Sequence, residues 1–129
     1  MTDILLEKSD IVLAKVLDGA AARQRVLANN IANVETPNFQ RKAVSFEGEL
    51  REAMDAPTID PDMQLNAIRN VATEAAPDTN TPARANGNNV QIDREMVELA
   101  KNSLQYETAA QLLTMELREV QNAIHEGRR

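Results

Sequence analysis

A chain of 129 residues with 43% apolar side chains holds enough polymer for one modest core. Its net charge of -6, with no basic stripe, sets it against phosphate and argues against nucleic acid as a partner. Cysteine is absent, which excludes disulfides and thiolate chemistry, and with two Phe, one Tyr and no Trp the interior falls to Ala, Val, Ile, Leu and Met, the residues that pack helices side by side.

The first predicted element is a helix over about residues 9–34. Leu6, Asp10, Leu13, Leu17, Ala20, Gln24, Leu27, Ile31 and Val34 advance by alternating steps of four and three, a seam that Asp10 and Gln24 interrupt. Ser9 or Asp10 is the expected N-cap, and Pro37 enforces a stop because the residue before proline avoids the α region. Acids at positions 3, 7 and 10 and the lack of a basic n-region do not fit a Sec-type signal peptide, so export would need another route.

All five prolines lie between Pro37 and Pro82, and residues 35–92 carry a net charge of -4. "FQRKAVSFE" alternates as a short extended piece, and "EGELREAM" suits a brief helix. Residues 55–89 are rich in Pro, Asn, Thr, Asp and Ala; they predict a long loop with a short helix near 64–70. "NGNNV", residues 86–90, signals a tight turn into the last element.

That last element is a helix with a second seam: Ile92, Met96, Leu99, Ser103, Tyr106, Ala110, Leu113, Leu117, Val120 and Ile124, of which only Ser103 is plainly polar. Asp93 is the expected N-cap, Glu95 suits the first turn, and Gly127 marks the end. Both helices carry surplus apolar lines. Ile11, Val12, Val16 and Val26 lie off the first seam, and Val97, Ala100, Leu104, Leu112 and Met115 off the second. One helix pair cannot cover both, so neighbours from other chains are expected to do so, and the isolated subunit is expected to be poorly folded at its ends.

No catalytic grouping is legible. His125 belongs to a helix C-terminus, and the acid pairs Glu95/Glu98 and Glu116/Glu119 lack a histidine one turn away, so they read as a solvated face. Neither a cofactor nor a small-molecule substrate is implied, and the chain reads as a non-enzyme.

The segment "LANNIANVETPNF", residues 27–39, ends the first helix with three asparagines, which are poor helix formers. Asn30 and Asn33 stack three residues apart on one flank of the seam, while Asn29 faces nearly away. Stacked amides at that rim can bond a neighbouring backbone and fix a register. The plainer reading makes Asn33 a C-cap and Asn30 a tolerated surface residue, and spacing alone does not separate the two.

"ANNIANVETPNF" resembles the motif ANN-[IL]-AN-x-x-TP-x-[FY] of the flagellar rod and hook axial protein family, carried here by Asn29, Asn30, Asn33, Thr36, Pro37 and Phe39. Together with "GNNVQIDREMVELAKNSLQYETAAQLL" it is most similar to the proximal rod members of that family. The family's usual glycine after the proline is Asn38 here, and Asn can also adopt a left-handed turn conformation.

The resemblance implies a mainly α fold. Long terminal helices (residues 1–36 and 91–129) pair as one coiled-coil-like axial domain around a largely irregular middle, residues 37–90, with a short extended segment. Leu13, Leu17, Leu27, Ile31, Met96, Leu99, Tyr106, Leu113, Leu117 and Val120 would form the helix seam. It further implies a structural subunit of the proximal rod of the bacterial flagellar basal body, exported without a cleaved signal and sited in the periplasmic rod. Its partners would be other copies of itself, other rod proteins, and the rod adaptor and export-gate proteins at the inner membrane. A soluble helical adaptor or export chaperone is the alternative. If the flank pair sets register, Asn30→Ala and Asn33→Ala impair assembly more than Asn29→Ala and leave secretion intact.

Overall fold

A computed structural model of the chain describes residues 2–128. Among these residues six elements run in order: helix α1 (Thr2–Ala32), strand β1 (Lys42–Val44), helix α2 (Glu47–Asp55), helix α3 (Pro61–Arg69), strand β2 (Ala75–Pro77) and helix α4 (Ile92–Glu126). The fold is mainly α, with the two long helices packed on each other. Among the described residues no helix is long and apolar enough to cross a membrane.

Helix α1 begins seven residues before its expected start. Ser9 and Asp10 are cap-type residues, but both lie inside the helix, and the Ser9 hydroxyl donates to Glu116 on α4 instead of to its own backbone. The helix ends at Ala32, where the Asn33 amide is shared between the carbonyls of Asn29 and Asn30 and the last turn tightens. Helix α4 starts at Ile92 with Gln91 as N-cap, so Asp93 sits in the first turn rather than at the cap.

The middle is more ordered than its composition suggests. Asp60 caps α3 by accepting from the Asp62 amide, and Pro61 occupies the first turn, where its missing N–H costs nothing. Strands β1 and β2 pair antiparallel, with Ala43 opposite Ala76. Val44, Phe46, Leu50, Ile68 and Val71 form a buried cluster against Ile11, Val12, Val16, Ala22 and Val26 of α1. The surplus apolar line of α1 is thus covered by the chain's own middle, contrary to the expectation that other chains must cover it. The second line of α4 stays open: Val97 is 54% exposed, Leu104 67% and Met115 57%.

The α1–α4 pair is antiparallel, because Asn30 meets Glu95, Ala20 and Gln24 meet Asn102, and Ser9 meets Glu116. The residues of α4 that face α1 recur every seventh position as Glu95, Asn102, Ala109 and Glu116. This line is small or polar and runs between two apolar stripes at roughly 100° per residue. Helix α1 therefore lies in a polar furrow with an apolar stripe on each side.

Candidate assembly site

Asn30 is 1% exposed, and its amide is used on both sides. Nδ2 donates to the Lys42 carbonyl at 2.8 Å and to Glu95 Oε2 at 3.1 Å, while Oδ1 accepts from the Lys42 amide at 3.0 Å. A side-chain amide has the donor–acceptor spacing of a peptide group, so Asn30 joins β1 as a strand residue would. One residue of α1 thereby holds both β1 and the start of α4.

Glu95 carries the network onward. It is fully buried, and Oε1 accepts from Arg41 Nε at 2.6 Å. The other edge of the same guanidinium pairs with Asp78, which also accepts from the Thr81 hydroxyl at 2.8 Å and the Asn80 amide at 2.9 Å. These two donors, and then the Arg41 charge, outweigh burial and hold the Asp78 carboxyl down at about 2. Burial alone would lower the Arg41 pKa, but its bonds to Glu95 and Asp78 prevail and raise it. The reading of Glu95 as part of a solvated face is overturned: a buried arginine 54 residues away compensates its charge.

The "NGNNV" turn closes the same knot. Asn89 Oδ1 accepts from the Arg41 amide at 2.6 Å, and Asn89 Nδ2 donates to the carbonyls of Asp78 and Thr81. Asn88 Nδ2 donates to the carbonyls of Asn33 and Thr36 at 2.9 and 2.8 Å, satisfying the frayed end of α1. Asn38 adopts the left-handed conformation at φ 60°, and the Asn38 amide donates to the Asn86 carbonyl. Gly87, at φ 79°, lies so close to Asn38 that a Cβ there would collide with its side chain.

The motif residues divide into different jobs. Asn30 is buried in the knot, whereas Asn33 Nδ2 donates to the Asn29 carbonyl of its own helix and its Oδ1 accepts from the Thr36 hydroxyl. Asn29, Thr36 and Pro37 are exposed, and Phe39 is half-buried. Asn30→Ala should cost about 2–3 kcal/mol, because it strands two β1 backbone groups and a buried carboxylate oxygen. Asn33→Ala should cost about 1 kcal/mol as the loss of a cap-like bond, and Asn29→Ala should be near neutral; urea unfolding of the three variants checks the order.

The seam residues follow the furrow. Leu27 is buried; Leu13, Leu17, Ile31, Leu99 and Leu113 are half-buried. Met96, Tyr106, Leu117 and Val120 are exposed at 52%, 44%, 50% and 36%. At the far end Asp10 faces Glu116, and each keeps one buried oxygen, Oδ1 and Oε2, without another partner. The Glu116 hydrogen bond, then burial, then the Glu116 charge raise the Asp10 pKa above its ordinary 3.8. Lys8, the nearest base on α1, is turned away to the Met54 carbonyl. The solvated-face reading thus fails for Glu116 as well.

A raised acid pKa means that the folded state binds a proton more tightly than the unfolded chain. The resulting stabilisation is complete in acid and is lost as pH rises through the Asp10 pKa. Amide exchange over residues 5–16 and 109–120, corrected for intrinsic rates, should therefore quicken from acid to neutral pH. Asp10→Asn should remove that dependence.

Comparison with known proteins places this arrangement. The family described as flagella basal body rod protein matches residues 17–40, the span that contains Asn30 and the motif. The FlgB flagellar basal body rod protein of Bacillus subtilis (strain 168) is 32% identical, over 90% of this chain and 92% of that relative. The chain belongs to the FlgB family. The FlgB protein of Escherichia coli (strain K12) is 30% identical over 95% of this chain and 99% of its own length, and that of Borreliella burgdorferi is 36% identical over 71% and 77%. In this FlgB-family chain Arg41, Asp78, Asn88, Asn89 and Glu95 were not singled out as site residues from the sequence. The doubled asparagine at 88 and 89 is the one signal that pointed to them.

Proposed function

We propose that the chain is a structural subunit of the proximal rod of the bacterial flagellar basal body, part of the drive shaft for motility, with no catalytic step. The observation that carries this reading is the furrow geometry: α1 lies between two apolar stripes of α4 that remain open, in a chain whose FlgB relatives match it almost end to end. Open stripes along a helix longer than 50 Å, at about 1.5 Å per residue, are the form of a subunit completed by its neighbours.

In this reading residues 1–36 and 91–129 form the axial domain, and 37–90 form a lateral body that holds α1. Other copies of this chain and other rod proteins cover the stripes, and rod adaptor and export-gate proteins meet it at the inner membrane. The chain occupies the rod on the periplasmic side of that membrane. Basal bodies isolated from the source cells should contain the chain, and its deletion should abolish swimming. A chain recovered only in a soluble complex with a secreted client would instead support the adaptor or chaperone reading.

A further inference from the structure

The turn between α2 and α3 and the first turn of α3 carry an apolar peg, Ile59 and Met63, that the described residues leave uncovered. Ile59 is 104% exposed and Met63 65%, and every side chain of residues 55–63 outside this pair is exposed as well. The peg is braced. The Thr58 hydroxyl donates to the Asp60 carbonyl and accepts from the Asp60 amide, Asp60 caps α3, and Pro57 and Pro61 flank the isoleucine. An isoleucine held outside its own fold by a rigid turn is prepaid for insertion elsewhere. The charges of the turn, Asp55, Asp60 and Asp62, are all negative, which sets the peg against an anionic lipid surface.

A socket of matching chemistry lies on the same chain. Leu13 and Val16 of α1 and Leu104, Ala109 and Leu112 of α4 line a groove of about 410 Å³, and among the described residues Lys101 is its only charged lining residue. The Lys101 side chain is 69% exposed at the edge of that groove and donates to Glu98 of its own helix at 3.4 Å, an exposed pair weak enough for the ammonium to turn to an incoming carboxylate. The acidic apolar peg and the groove edged by Lys101 are complementary, and no residue of the peg lines the groove within the chain, so the contact joins one copy to the next.

We infer that Ile59 and Met63 of one copy insert into the Leu13–Val16–Leu104–Leu112 groove of a second copy of this chain, with Asp62 and its neighbours beside Lys101. Used one way, from each copy to the next, such a contact is heterologous and repeats as a ring or a helical array, whereas the reciprocal two-fold use of the same patches would stop at two copies. The inference rests on the rod reading and adds to it the surface through which like subunits join.

The absence of cysteine makes the test clean. Basal bodies carrying Ile59→Cys with Leu104→Cys, both exposed positions, should lose monomer on oxidation to a ladder of two, three and more copies. Ile59→Cys with Tyr106→Cys on the opposite stripe, and either single variant, should give no ladder. Adding Lys101→Glu should reduce the ladder, and further adding Asp62→Lys should restore it. An incorporated chain that forms no ladder, an equal ladder through Tyr106, or a single adduct of another mass overturns the inference while the rod reading stands. If even the cysteine-free chain is missing from basal bodies, the rod reading fails, and oxidation of the concentrated purified pair variant then decides the contact by the same ladder.

Discussion

Arg41→Ala should lower the unfolding free energy by about 3–5 kcal/mol, because it leaves the buried Glu95 carboxylate without its cation and Asp78 without its partner. The loss should appear as a lower urea midpoint with an unchanged slope, since the surface exposed on unfolding hardly changes. Removing Arg41 together with Glu95 is the informative control. Arg41→Met with Glu95→Leu should recover part of the loss, that due to the buried Glu95 carboxylate, while Asp78 keeps its bonds to Thr81 and Asn80 but not its cation; Glu95→Leu alone should recover none of it. A double variant as weak as Arg41→Ala would show that the knot depends on its shape and not on charge compensation. Protonation gives an independent reading. Asp78 is ionised down to about 2, below its ordinary 3.8, so its stabilisation is present above 3.8 and is lost as pH falls toward 2.

Gly19→Ala should destabilise the chain, although alanine in a helix interior ordinarily gains about 1 kcal/mol over glycine. Gly19 is buried on α1, and a Cβ there would overlap the Phe46 ring. Phe46 is wholly buried, with the Arg23 guanidinium 5.2 Å from its ring centroid. The ring therefore sits on bare helix backbone, which only glycine permits. Overpacking of this kind costs about 1–3 kcal/mol net of propensity, and removing the ring by Phe46→Ala should cost about 3–5 kcal/mol. Combining Gly19→Ala with Phe46→Leu should cost less than the two single losses added together, because the smaller side chain frees the space that the methyl needs. Thermal melts of the four proteins settle the sign. A stabilised Gly19→Ala chain would mean that the ring has room to move.

Both long helices were legible because the pattern repeats for four heptads in the first, though interrupted at Asp10 and Gln24, and for more than four in the second, which outweighs any single misplaced cap. The start of α1 was misjudged for a specific reason. Ser9 and Asp10 are chemically suited to a cap, and their real partner, Glu116, is 107 residues from Ser9. The same separation hid the burial of Glu95: an acid in the first turn of a helix looks solvated until the arginine that compensates it is placed beside it. The lateral body was only partly legible, because its core rests on five residues scattered between Val44 and Val71 with no run long enough to show a period. The motif asparagines stand out in the sequence, but residue type does not reveal that Asn30 substitutes for a strand and Asn33 for a cap.

The knot also dictates an order of events. Its ties span wide gaps in the chain, 54 residues from Arg41 to Glu95 and 65 from Asn30 to Glu95, and closing such loops is slow and entropically costly. A chain delivered N-terminus first can lay its lateral body on α1 as soon as residue 71 is free, yet the knot must wait for residue 95 and Asn102 for its meeting with Ala20. Closure then runs like a zipper from the knot outward. The stretch around Asp10 and Glu116 is the last to meet, so the end of the subunit that commits latest is the one whose shape an already assembled structure can still decide.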